Sequence, residues 1–350
     1  MTEKGLTLSI IIPVYNKDET IKRAVESVLR QGLLPTEYEL LLIDDGSTDN
    51  SAGICQQFAS DYPEVIRFFS KQNEGVGPTR NFGIEHAIGE YVCFLDADDY
   101  LKDGGFRDFM DHFYDNRFDV LSYFSTTVKE NDEHTDLSKT IHGKIKYETT
   151  GHEHLGKGYC PTFVWNSWVR KTFLIENGLK FEPISYGEDL LFNINLMYAN
   201  PKIRQTSSFI YQYVTYEGGG QLSKVHDIDK TTQNVLNYMN IFMRMGEVSK
   251  RMKADNRQCD MESIFENSLV PFTSRLLSSG ITVNQLREIK KTIQNIGLNK
   301  RRAKDITATI SRLIINSGYA FTILKMIYRN IFKRYVLPRI DRETGKFVFS

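Results

Sequence analysis

Three carboxylates stand within four residues in Phe94-Leu95-Asp96-Ala97-Asp98-Asp99, directly after an apolar run. Like charges that close repel one another, so the group is costly unless a cation or solvent relieves it. A hard divalent cation takes oxygen ligands and keeps waters and phosphate oxygens in its shell. Held here, such an ion would bridge to a diphosphate and neutralise charge on a departing nucleotide. The plainer reading is a solvated acidic turn that caps the next helix. A second acidic loop, Asp44-Asp45-Gly46-Ser47-Thr48-Asp49, also follows an apolar run. Either it is a turn with an N-cap, or one of its carboxylates accepts a hydrogen bond from a base N–H or a ribose hydroxyl. The run Ser9-Ile10-Ile11-Ile12-Pro13-Val14-Tyr15-Asn16 ends in an aromatic that either lies against a base or simply packs. The stretch from Asn73 through Gly75, Gly77 and Arg80 to Gly83 joins a glycine loop to an arginine near a helix start, which suits a phosphate-bearing ligand.

The elements that must hold these loops alternate along the first half of the chain. Leu8 to Val14 is a short β-branched run, and Glu19 to Leu29 repeats Ile21, Ala24, Val25 and Val28 at helical spacing. Glu39 to Ile43 is a second strand, Ser51 to Asp61 a helix, and Val65 to Ser70 a third strand. Thr79 to Ala87 reads as a helix and Tyr91 to Leu95 as a buried strand. The alternation predicts an α/β fold with a mostly parallel, Rossmann-like sheet. Each polar loop then lies at a strand end, where open α/β sheets bind ligands.

The order and separation of these segments resemble family-2 glycosyltransferases, which have the GT-A fold. The resemblance rests on the Ser9–Asn16 start, the Asp44–Asp49 loop, the Asn73–Asn81 stretch and Phe94–Asp99, and together these run through residues 9–99. It continues through Trp165–Arg170 to the acidic pair in Tyr186-Gly187-Glu188-Asp189. More loosely, the region from Glu188 to Leu222 is similar to bacterial enzymes that decorate wall teichoic acid or build surface polysaccharides. The resemblance implies that Pro13, Tyr15 and Asp44 or Asp45 surround the nucleoside, with Asn73 and Arg80 near the donor. It further implies Asp96 on the ribose or sugar side, Asp98 as the main ligand of Mn²⁺ or Mg²⁺, and Asp189 as catalytic base with Glu188 beside it. Some relatives use a histidine on the metal just before a Leu-Ser pair; here Gln221 precedes Leu222-Ser223, and His226 is the nearby substitute. The implied chemistry is inversion by a single in-line displacement, from a nucleotide diphosphate sugar, as a uridine derivative, to a saccharide or lipid-linked saccharide. The histidines of Gly151-His152-Glu153-His154 read instead as a solvated turn.

Bulk properties narrow the field. Charge is balanced, 44 basic against 44 acidic residues in 350, so nothing points to nucleic acid. Cys55, Cys93, Cys160 and Cys259 lie far apart without metal-ligand spacing, which argues against a zinc finger or disulfide framework and fits a reducing cytoplasm. The N-terminal apolar run is too short for a signal peptide, and no stretch of about 18 apolar residues suggests a membrane span. The expected domains are 1–227, with a nucleotide-binding part over 1–100 and an acceptor part over 101–227, and a helical region over 228–350. Between Ile306 and Ile340 there is no Asp or Glu, and basic residues alternate with Phe321, Tyr328 and Phe332. That stretch reads either as a helix on the anionic inner face of the membrane or as a surface packed on the catalytic domain or on another subunit, as in a homo-oligomer. A nucleotidyltransferase would fit the acidic loops but not the Glu188-Asp189 motif, and a non-catalytic nucleotide-sugar sensor would have no use for a base.

Overall fold

The strand β1 (Leu8–Val14) is buried along almost its whole length. Its partner β2 (Tyr38–Asp44) is buried at every residue. Continuous apolar runs of this kind belong to strands covered on both faces. In the computed structural model, which describes residues 7–130, 143–216, 228–296, 314–317, 321, 339–341 and 346–348, these strands lie side by side inside a nine-stranded sheet. Helix α1 (Ile21–Leu29) buries Ile21, Ala24, Val25 and Val28, the face its spacing predicts. The chain continues through α2 (Ser51–Asp61), β3 (Ile66–Ser70), α3 (Val76–His86) and β4 (Tyr91–Phe94). Helix α3 begins earlier than its apolar pattern suggests. Gly75, at φ +93°, turns the chain into it, and Pro78 falls in the first turn, where a missing N–H costs no helical bond.

Next come β5 (Tyr100–Leu101), α4 (Gly105–Phe113), β6 (Val120–Lys129), β7 (Ile145–Thr150), α5 (Gly151–Gly156), β8 (Ser167–Arg170), α6 (Lys171–Glu176), α7 (Glu188–Tyr198) and β9 (Lys202–Thr215). The sheet order is β3-β2-β1-β4-β8-β6-β9-β5, with β7 also on β9. The pairs β3/β2, β2/β1 and β1/β4 are parallel. Strand β8 runs against both β4 and β6, and β6 is parallel to β9. Six strands therefore share one direction, and β5, β7 and β8 are reversed, a mixed sheet that is mostly parallel.

The strand order reverses at β1, which has β2 on one side and β4 on the other. A crevice outside the carboxyl ends of the strands forms at such a switch point. Pro13 helps open it. The Leu95 N–H donates to the Ile11 carbonyl, so Ile11 faces β4. Alternation puts Pro13 on the same side, where the lack of an N–H ends the ladder. The paired register with β4 stops at Ile11.

Two compact units divide the chain. The first comprises Met1–Gly151, Pro161–Ile184 and Asn195–Gly220, and holds the sheet. The second comprises His152–Cys160, Ser185–Ile194 and Gln221–Ser350. Its described helices are α8 (Ile228–Ala254), α9 (Met261–Ser278) and α10 (Val283–Ile296). Phe242 packs edge-on against Phe265 and Phe272 at its core. A short antiparallel pair, β10 (Arg339–Asp341) with β11 (Lys346–Val348), lies in a stretch whose sequence reads as helical. Most of the basic run between Ile306 and Ile340 lies outside the described residues, as do His226, Gln221, Leu222 and Ser223. Among the described residues no helix is long and apolar enough to cross a membrane. The Gly151–His154 segment is not the solvated turn its glycine suggests. It forms α5, and His154 is buried with its ring edge-on to Tyr159. Burial pushes the His154 imidazole down to about 4.

At the amino end of the sheet, Gly89 has no room for a side chain. A Cβ there would lie 2.6 Å from the Ser9 nitrogen and 2.7 Å from the Leu8 carbonyl carbon. Gly89 donates to Ser9 Oγ, which donates in turn to the buried Glu39. Gly89→Ala therefore has to push β1 aside, and overpacking of this kind costs about 1–3 kcal/mol. The urea midpoint is expected to fall accordingly, and an unchanged midpoint would refute the close contact.

Candidate active site

The acidic run after β4 is built from its backbone outward. The Asp99 N–H donates to the Asp96 carbonyl at 3.0 Å, closing a tight turn that leads into β5. Asp99 is only 2 % exposed. Its two oxygens accept from the Tyr211 hydroxyl and the Val214 N–H, each at 2.7 Å. Burial, with Asp96 and Asp98 adding their charge, pushes its carboxyl well above the usual range despite those two donors. The Tyr211 oxygen also accepts from the Asp96 N–H at 3.2 Å. One hydroxyl thus ties both ends of the turn. Tyr211 is itself fixed by stacking on Trp165, with ring centroids 4.1 Å apart.

Asp96 and Asp98 have different surroundings from Asp99, with 29 % and 30 % of their side chains exposed. Arg80, buried on α3, donates to Asp96 Oδ1 at 3.0 Å. Its guanidinium lies over the ring of Phe181 at 5.4 Å. Enclosure raises the Asp96 carboxyl, Arg80 pulls it back, and Asp98 pushes it up again. Lys17 Nζ meets Asp98 Oδ2 at 2.5 Å. Arg23 and Tyr216 both donate to the Asp98 carbonyl, at 2.6 and 3.2 Å. The turn is thus clamped from the loop after β1, from α1 and α3, and from the end of β9. Among the described residues no three His, Cys, Asp or Glu side chains converge on one point. The protein offers Asp96 and Asp98 as two hard oxygen donors at one strand end.

The neighbouring loops are tied to this turn's side of the sheet. Asp45 N–H donates to the Val14 carbonyl. The buried Asp45 carboxylate accepts from the Glu74 and Gly75 N–H groups and pairs with Lys71 at 2.6 Å. It therefore fixes the glycine loop that starts α3. The buried Asp44 accepts from the Ser47 N–H and the Ser70 hydroxyl. Asn16, at φ +51°, bridges the two loops by donating to Ser47 Oγ and accepting from the Thr48 N–H. Tyr15 stands 46 % exposed beside Pro13, and Asn73 is exposed next to Gly46.

Glu188 and Asp189 belong to the second unit. Both lie in the first turn of α7 and are half-buried. The helix opens with the Leu191 N–H donating to the Gly187 carbonyl.

Of the residues singled out from the sequence, the fold brings Asp44, Asp45, Asp96 and Asp98 to adjoining strand ends, with Arg80 of α3 reaching Asp96. Sequence reasoning missed Lys17, Arg23, Tyr211 and Tyr216. Lys17 directly follows the Pro13–Asn16 motif, a positional signal that was available. Tyr211 lies 112 residues from Asp99 and had none.

A mostly parallel sheet with acidic loops at its switch point has the architecture of the GT-A fold. The structure aligns with Staphylococcus aureus TarS residues 1–349 in complex with UDP-GlcNAc, at TM-score 0.61 and 19 % identity, covering 99 % of this chain and 97 % of that one. Residues 9–178 match the sequence profile of the family described as Glycosyl transferase family 2, and the chain carries a domain of that family. The uncharacterized glycosyltransferase YibD of Escherichia coli (strain K12) is 28 % identical over 250 residues, 70 % of each chain. The minor teichoic acid biosynthesis protein GgaB of Bacillus subtilis (strain 168) is 30 % identical over 185 residues, 51 % of this chain and 20 % of GgaB. The chain thus spans only a fifth of GgaB's length.

The Tyr211 bridge is open to test. Tyr211→Phe removes a donor from buried Asp99 and an acceptor from the Asp96 N–H, and unsatisfied buried groups cost about 1–3 kcal/mol. A lowered urea midpoint is expected. A midpoint equal to the parent's would take the bridge out of the site's construction.

Proposed function

We propose that this protein transfers a sugar from a uridine diphosphate donor to a hydroxyl of a saccharide or lipid-linked saccharide, with inversion, in the synthesis of bacterial cell-surface polysaccharide. The observation that carries the reading is the pair of partly exposed carboxylates, Asp96 and Asp98, at the carboxyl end of β4 in a family-2 domain. The donor assignment draws on the UDP-GlcNAc complex of TarS, and the pathway on GgaB.

Hard oxygen donors partly open to solvent fit Mn²⁺ or Mg²⁺, which such sites hold with one or two carboxylates plus donor phosphates and water. Asp98 would be the principal ligand, and Asp96 would face the ribose or the sugar. When bound, the ion supplies positive charge that stabilises the departing diphosphate. Lys17, already on Asp98, is a second positive group for that diphosphate. Arg80 keeps Asp96 oriented through their ion pair. Tyr15 and Pro13 offer an apolar face to the base. Asp44 and Asp45 each retain acceptor capacity beyond their internal bonds, since a carboxylate offers about four lone-pair sites. Asn73 lines the loop near the donor. Single displacement also needs a base for the acceptor hydroxyl, and Asp189, with Glu188 beside it, takes that role.

Two measurements test the reading. Calorimetry with UDP-N-acetylglucosamine and UDP-glucose is expected to give tighter binding with Mn²⁺. Asp98→Ala should abolish that gain, weakening affinity by about tenfold or more, the equivalent of about 1.4 kcal/mol. Equal affinity with and without Mn²⁺ in the parent would reject the metal. Asp189→Asn keeps size and helix-capping ability, so folding and donor binding should persist while turnover falls about 10²-fold or more. Turnover within a few-fold of the parent would move the base elsewhere.

A further inference from the structure

The three residues that precede the acidic pair are each gripped by the helical unit. Ser185 Oγ accepts from Asn237 Nδ2 and donates to Asn234 Oδ1, both at 3.2 Å. The Tyr186 ring packs 5.5 Å from that of the buried Tyr238. On Tyr186 also lies the Arg275 guanidinium of α9, 3.6 Å from the ring centroid. Gly187 adopts φ +82°, and a Cβ there would lie 2.5 Å from Ile241 Cδ1, so the chain passes directly over a fully buried side chain.

The four α8 residues are 234, 237, 238 and 241, spaced i, i+3, i+4 and i+7. That is one continuous face of a helix. Asn237, Tyr238 and Ile241 are buried, and the next residue, Phe242, belongs to the aromatic core with Phe265 and Phe272. A rigid core element therefore holds Ser185-Tyr186-Gly187, and the Gly187 carbonyl accepts the first bond of α7. The direction in which Glu188 and Asp189 leave the helix is set by that grip.

We infer that the Asn234–Asn237–Tyr238–Ile241 face of α8, with Arg275, positions the Glu188 and Asp189 carboxylates for proton abstraction. These are positioning residues, acting through residues 185–187. The inference rests on the reading of Asp189 as the base. A displaced base loses rate steeply, about 10²-fold for about 1 Å.

The test uses the full chain and UDP release from UDP-N-acetylglucosamine or UDP-glucose with Mn²⁺, water serving as acceptor. Asn237→Ala and Arg275→Ala should each lower kcat about tenfold or more, with donor KM unchanged, and Arg275→Lys, which keeps a cation over the ring, should recover most of the rate. In an Asp189→Asn background the same substitutions should cost nothing further, because they act through the group already removed. Hydrogen exchange at the amides of residues 188–192 should quicken in Asn237→Ala and Arg275→Ala while β1 to β4 stay protected. Unaltered exchange, parent-like kcat, or equal losses in both backgrounds would overturn the inference and leave the base intact. If Asp189→Asn itself turns over like the parent, or no donor is hydrolysed, the underlying reading fails instead.

Discussion

Asp96, Asp98 and Asp99 crowd three carboxylates onto one turn at the end of β4, and the turn can exist only if each is answered by an opposite charge or a hydrogen-bond donor. Each answer recruits a different element. Asp99 takes Tyr211 and Val214 from β9. Asp96 takes Arg80 from α3, and Asp98 takes Lys17 from the turn after β1. The clamps differ in kind. Asp99 is sealed from water and structural, whereas the other two carboxylates keep open oxygens and meet cations. A single run of four residues therefore separates a buried anchor from two groups able to meet a ligand.

How much of this was legible follows from the reach of each interaction. Strands β1, β2 and β4 announce themselves because burial on both faces requires continuous apolar runs. Helix α1 shows its face because Ile21, Ala24, Val25 and Val28 repeat at its own period. The acidic loops were legible as motifs, and their order carried the family. Their internal bonding was not. Nothing local marks Asp45 as the residue that pins the Glu74 and Gly75 amides, or Lys17 as the partner of Asp98. The long strands β6 and β9 were obscured because they mix polar residues, such as Ser122 in β6 and Gln205 and Gln212 in β9, into buried positions. His154 was misjudged because a glycine-flanked histidine pattern gives no sign of a short buried helix.

The two acidic sites also differ in how they are supported. The strand-end carboxylates are held within the sheet unit and within residues 9–178 matched by the family, apart from β9. Glu188 and Asp189 begin beyond that match, and residues 185–187 before them contact α8 and α9. The helices that follow the sheet are therefore continuous, in packing, with one of the two candidate catalytic groups rather than a separate attachment to it.

The 112 residues between Asp99 and Tyr211, and the 115 between Asp99 and Val214, have a meaning for biosynthesis. As the chain leaves the ribosome, the acidic turn emerges long before the strand that satisfies it. Until β9 arrives, Asp99 must stay hydrated, and β6 has one unpaired edge, the kind of surface that invites association with other chains. Contacts of such long sequence separation close slowly. The sheet unit, although nearly contiguous at the N-terminus, is thus finished from its far end, and the nascent chain has to be kept apart from its neighbours until residue 214 is available.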